Sequence, residues 1–165
     1  DDSQYADYRV HQEALRQADR FIDKVGKHPD EDERLQLCIL DYLRFQSEFV
    51  SKDYVSTGEI TSHLADRGFG DLSEQKIRSS GIAKLRDSDV IITSASKGYK
   101  IPQTRADIND FLGMTSGQIV PQLERIKKAR DVYMLSSRGD YDILKAANLP
   151  ELEKLLASLE TLGED

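Results

Sequence analysis

The sequence predicts a mainly α-helical protein with one small β-hairpin, a central core block and helices added before and after it. Three observations carry this. Apolar residues recur at spacings of three and four along most of the chain. One short region, about 89–101, is β-branched and extended instead. Hydroxyl–carboxylate pairs and glycines mark where helices start and stop. At 165 residues the chain has the length of one domain, or of a small domain with appendages. Its single cysteine excludes an internal disulfide and any zinc site built from paired cysteines. Apolar runs such as Leu37–Leu40 fall far short of the ~20 residues a membrane span needs. With 32% charged residues and a formal net charge of −7, the expected protein is soluble, with a modest core. Asp1 is no natural start and no signal-like segment follows it, so the chain reads as a piece of a longer, cytoplasmic protein.

The first element is an amphipathic helix over 4–25, carrying Tyr5, Tyr8, Ala14, Leu15, Ala18, Phe21, Ile22 and Val25, with Gly26 as its stop. A charged linker, Lys27–Asp32, contains Pro29. The acidic run Asp30–Glu33 marks a new helix start, because a helix N-terminus favours negative charge without any ligand and unspaced carboxylates make a poor metal cage. The helix that follows, about 33–50, is apolar enough to be a core helix, with Leu35, Cys38, Ile39, Tyr42, Leu43, Phe45 and Phe49. An extended piece, Tyr54–Ser56, leads into Ser56-Thr57-Gly58-Glu59, which has capping-box spacing and opens a helix through Ile60, Leu64 and Ala65. Arg67-Gly68-Phe69-Gly70 closes that helix with a tight connection. It is not a phosphate loop, since no Lys-Ser or Lys-Thr follows.

Ser73 is an N-cap for a helix over 74–87. Asp89–Thr93 and Tyr99–Ile101 then read as two short strands around a Ser94–Gly98 turn, stopped by Pro102. Thr104-Arg105-Ala106-Asp107 opens a helix with Ile108, Phe111 and Leu112 on one side, which Gly113 and Gly117 are expected to interrupt. A second stripe follows at Ile119, Leu123, Ile126 and Tyr133. Ser136–Asp142 is polar, and Leu149-Pro150-Glu151 starts a final leucine-striped helix. These elements divide the chain into an N-terminal helix (1–28), a core (29–103) and a C-terminal helical extension (104–165).

Between Glu33 and Pro102 the order is helix, short strand, helix, tight turn, helix, hairpin. Over these roughly 70 residues the chain resembles the winged helix-turn-helix family, with Val90-Ile91-Ile92-Thr93-Ser94 and Lys97-Gly98-Tyr99-Lys100-Ile101-Pro102 as the wing. The stretch from Arg34-Leu35 to Ile101-Pro102 is also similar to C-terminal modules of uncharacterised bacterial proteins, some with a ribonuclease-H-like nuclease domain upstream. Residues 1–165 include no such domain, so no activity is carried over.

The resemblance implies a recognition helix at about 73–87 and a wing at about 90–101. A 100° wheel puts Ile77, Gly81, Ile82 and Leu85 inward, and Lys76, Ser79, Ser80, Ala83 and Arg86 outward, with Arg78 nearer the apolar side. An outward face that is small, hydroxylated and basic suits double-stranded DNA, because cations hold phosphates and serine reaches base edges. Lys76, Ser79, Ser80 and Arg86 are therefore the expected groove residues, and Lys97 and Lys100 the expected phosphate contacts of the wing. Residues 73–100 hold six basic side chains against Glu74, Asp87 and Asp89, so the surplus of negative charge lies elsewhere in the chain. A non-enzymatic DNA-binding or targeting module is the expected function.

Two other readings stand beside it. The stripe Ile119, Leu123, Ile126 and Tyr133, next to the basic run Arg125–Arg130, is a candidate interface, closing either within the chain or between two chains of a homodimer. The chain would then be a protein-interaction and oligomerisation module. A third reading is the regulatory C-terminal domain of a nuclease encoded upstream. Catalytic, metal and cofactor sites are expected to be absent: His11, His28 and His63 lack metal-ligand spacing, and Cys38 sits among apolar neighbours without an evident base. Arg138-Gly139-Asp140 reads as a turn.

Overall fold

A computed structural model describes residues 1–50 and 53–162, without the side chains of 161 and 162. The protein is mainly helical with a small two-stranded antiparallel sheet. It divides into two compact units, Asp1–Met114 and Thr115–Asp165, where the sequence suggested three segments. The N-terminal helix belongs to the first unit, because its apolar stripe closes the core.

Helix α1, Asp2–Val25, is capped by Asp1, whose carboxylate accepts from the Ser3 amide, and it buries Ala14, Ala18 and Phe21. Helix α2, Glu31–Phe45, opens with a full capping box between Asp30 and Glu33, so the acidic run is a helix start. It runs on into a π-helical turn, Gln46–Val50. Helix α3, Thr57–Asp66, has the expected capping box between Ser56 and Glu59. Helix α4 has three parts: Glu74–Lys76, a π-helical turn Ile77–Ile82, and Ala83–Asp87. Ser73 caps it through the Lys76 amide at 3.1 Å.

The hairpin pairs β1, Thr93–Ala95, with β2, Gly98–Lys100, in the register Thr93 to Lys100, Ser94 to Tyr99 and Ala95 to Gly98. The first strand therefore starts later than the expected Asp89. Asp89 takes a left-handed φ of 68° and the Val90 amide donates to the Leu85 carbonyl, so these two residues finish α4. Val90 and Ile92 still reach the core. Val55 exchanges both backbone hydrogen bonds with Tyr99, at 2.8 and 2.9 Å, which puts β2 between Val55 and β1.

One apolar cluster holds the first unit together, including Ile39, Leu40 and Leu43 from α2, Ile60 and Leu64 from α3, Ile77, Ile82 and Leu85 from α4, and Ile101. Gly81 is the contact point of α2 and α4: a Cβ there would meet Ile39 Cδ1 at 2.5 Å. Beside it the buried Gln36 amide donates to the Ser80 carbonyl at 3.1 Å. On the outer side of α2, Tyr42 stacks on His63 of α3 with ring centroids 4.1 Å apart.

That stack gives a pH-dependent stability. Burial first, then the nearby Arg67, lowers the His63 pKa, with Asp66 opposing. The fold prefers the neutral ring, so the full contribution is present above the unfolded-state value near 6.5 and is lost as pH falls through it. The melting temperature should drop between about pH 7 and pH 5, and His63→Phe should flatten that part of the profile. An unchanged slope in the variant would show that the ring carries none of it.

Helix α5, Arg105–Ser136, is continuous through Gly113, Gly117 and Pro121, correcting the expected interruption. Proline in a helix interior clashes with the carbonyl four residues back. Here that residue is Gly117, which lacks a side chain to restrict adjustment. The second unit comprises the later part of α5, α6, Ile143–Ala146, and α7, Pro150–Leu162. Arg130 ties them together, reaching Asp142 at 2.8 Å and Glu153 at 3.8 Å. Tyr133 sits edge-on to Tyr141. Arg138-Gly139-Asp140 does lie in a turn, with left-handed angles at Arg138 and Gly139.

Candidate nucleic-acid interface

Helix α4 and the tip of the hairpin carry the residues expected to meet DNA, and the structure divides them into two groups. Lys76 and Ser79 are exposed, as is Lys97 in the two-residue turn between β1 and β2. Among the described residues the Lys76 ammonium has only a loose pair, with Asp32 at 3.9 Å, across surface open to water. The Ser79 hydroxyl donates back to the Gln75 carbonyl at 2.8 Å, which leaves its oxygen free to accept a further bond. Ser80 is half-buried against α2.

Arg86 and Lys100 hold the fold together. The Arg86 guanidinium donates twice to the Ile92 carbonyl, at 3.0 and 2.9 Å, and to the Ser94 hydroxyl at 3.3 Å. It also lies over the Phe111 ring at 4.9 Å and the Tyr99 ring at 5.9 Å. Burial lowers its pKa, partly opposed by Tyr99. It fastens α4 to the hairpin and to the start of α5. Lys100 is 5% exposed, with its ammonium 3.2 Å from Asp53, 3.1 Å from Asp107 and 5.3 Å from the centre of the Tyr54 ring. Neither cation is placed to meet a phosphate.

Arg78 and Lys84 lie on the open face of α4. Both are exposed, with Gln75 and Ala83, and among the described residues neither forms an ion pair. The wheel misplaced Arg78 because of the π turn. There the Ala83 amide donates to the Arg78 carbonyl, five residues back instead of four, so Arg78 lines up with the exposed Ala83. The same extra residue brings Ile82 onto the side of Ile77, and Arg86, four residues after Ile82, goes with it. No residue type in 77–82 announces a π turn; the buried Gly81 under Ile39 is the nearest signal.

Residues 73–100 thus carry four exposed cations, Lys76, Arg78, Lys84 and Lys97, and three exposed carboxylates, Glu74, Asp87 and Asp89. The surface is mixed in charge, with its cations on α4 and at the hairpin tip. Cys38 lines a cleft of about 420 Å³ with Tyr42, His63 and Arg67, and burial raises its thiol pKa, partly opposed by Arg67. Among the described residues no cluster of three or more His, Cys, Asp or Glu side chains could hold a metal. No described helix is long and apolar enough to cross a membrane. The candidate interface seam is dispersed: Ile119 and Tyr133 are about half exposed, while Leu123 and Ile126 are half-buried. No family model, curated protein or solved structure matches the chain.

Proposed function

We propose that the first unit is a winged helix-turn-helix module that binds duplex DNA, with α4 as its recognition helix and the β1–β2 turn as its wing. The observation that carries this reading is the exposed face of α4, where Arg78 and Lys84 have no ion pair among the described residues and Lys76 has only a distant one. The hydroxyl of Ser79 and the small Ala83 between them leave room for a groove wall. The pairing of Val55 with the returning strand of the hairpin also supports it, since a short strand after the first core helix belongs to that arrangement. Lys76, Arg78 and Lys84 contact phosphates, Ser79 approaches base edges, and Lys97 holds the backbone beside the wing. Four such contacts predict modest affinity with strong salt dependence.

Fluorescence anisotropy with a labelled duplex, at two or more salt concentrations, tests the proposal. Wild type should bind in a salt-sensitive way. Lys76→Ala/Arg78→Ala should bind more weakly, and its log–log salt slope should fall by about two. Lys97→Ala should lower the slope by about one. Binding that is absent at low salt, or identical in the variants, would sink it. A second reading, protein interaction, is favoured by the exposed apolar side chains of the second unit.

A further inference from the structure

We infer that the second unit is an isologous docking surface for a second copy of this chain. The inference goes beyond the DNA reading and stands without it. Among the described residues of 115–165, Leu144 and Leu156 are the buried apolar side chains, a very small core for about 50 residues. Large apolar groups lie on its surface instead, with Val120, Leu155 and Leu159 each more than two-fifths exposed. Between α5 and α7 a groove of about 560 Å³ is lined by Val120, Leu123, Leu156 and Leu159.

The rim of that groove says what covers it. Glu124 and Lys127 stand on its α5 side and Glu160 on its α7 side. Among the described residues none of the three forms an ion pair, although Arg130, paired with Asp142 and Glu153, also acts on Glu160 through space. A partner of one charge sign would leave part of this rim unopposed. A second copy presents both signs and the same apolar strip. About a two-fold axis, each residue set meets itself in reverse, so Lys127 of one copy can face Glu124 or Glu160 of the other while the leucines interlock. Two helix pairs joined in this way make a four-helix arrangement, the usual means by which a helical hairpin buries its open face.

The test is the mass of the full chain by light scattering over a dilution series, without DNA. Wild type should approach twice the 18.7 kDa chain mass at high concentration. Val120→Glu and Leu159→Glu should remain helical by circular dichroism and raise the dissociation constant at least about tenfold. Charge swaps at exposed sites guard against misfolding. Lys127→Glu alone and Glu124→Lys/Glu160→Lys alone should each self-associate poorly, and an equimolar mixture should recover the dimer. A monomer at every concentration, a dimer indifferent to Leu159→Glu and Lys127→Glu, or a mixture that fails to recover would overturn the inference.

Discussion

Gly98→Ala should be the most damaging single methyl that can be added to this protein. Gly98 has a φ of 139°, where side chains are rarely tolerated, and a Cβ there would lie 2.0 Å from the Val55 carbonyl oxygen and 2.6 Å from its carbon. Both neighbours are backbone, so no side-chain rotation relieves the overlap. The chain must give up the paired bonds between Val55 and Tyr99, together with the β1–β2 turn geometry. Backbone strain of 1–3 kcal/mol and two lost hydrogen bonds of about 1 kcal/mol each give a loss of about 3–5 kcal/mol. Urea denaturation measures it directly. Gly113→Ala is the control, because its Cβ meets nothing within 4 Å on a helix, and it should stabilise by about 0.5–1 kcal/mol. Equal effects from the two substitutions would refute the role assigned to Gly98.

Lys100→Met should come next. The methionine keeps most of the buried stem and removes the ammonium that lies between Asp53 and Asp107. Asp53 is largely in water and recovers its hydration. The Asp107 side chain is 11% exposed and does not. Its carboxylate still accepts from the Gln103 and Thr104 amides, at 2.9 and 3.2 Å, which softens the loss. Removing one member of a buried pair costs about 3–5 kcal/mol, and the open side of this one brings the expectation to about 2–3 kcal/mol. Adding Asp107→Asn to Lys100→Met should recover part of it, because the remaining group is then neutral. If the double variant is less stable than Lys100→Met by the full cost of Asp107→Asn alone, the two residues are not coupled. Lys97→Ala, at the open turn, should leave stability within about 0.5 kcal/mol of wild type.

These two residues also show which features could be seen from sequence. Helix starts were legible because they depend on near neighbours: the acidic run Asp30–Glu33, which suits a helix N-terminus, and Ser56 with Glu59 three residues on. The hairpin was visible from β-branched residues and turn chemistry, although its first strand starts at Thr93 because Asp89 and Val90 close α4. The roles of Arg86 and Lys100 were not legible. Each is a long side chain on an otherwise suitable face, and its direction is set by partners in other elements: the Ile92 carbonyl and Phe111 for Arg86, and Asp53 and Asp107 for Lys100. Composition therefore counted both as available charge. The continuity of α5 was hidden for a different reason, since glycines are penalised one residue at a time, while the helix runs through Gly113 and Gly117 as well as Pro121.

The π turn Ile77–Ile82 has a consequence for how this helix should be compared with others. Counted against an uninterrupted helix, it is one residue too long, so a faithful alignment needs a single-residue gap near Ser79 and Ser80. Aligned from its start without that gap, the helix puts Arg86 in the column of a groove-facing residue; aligned from its end, it puts Arg78 in that of a core residue. Any consensus drawn through this helix therefore inherits or avoids that displacement according to where one gap is put.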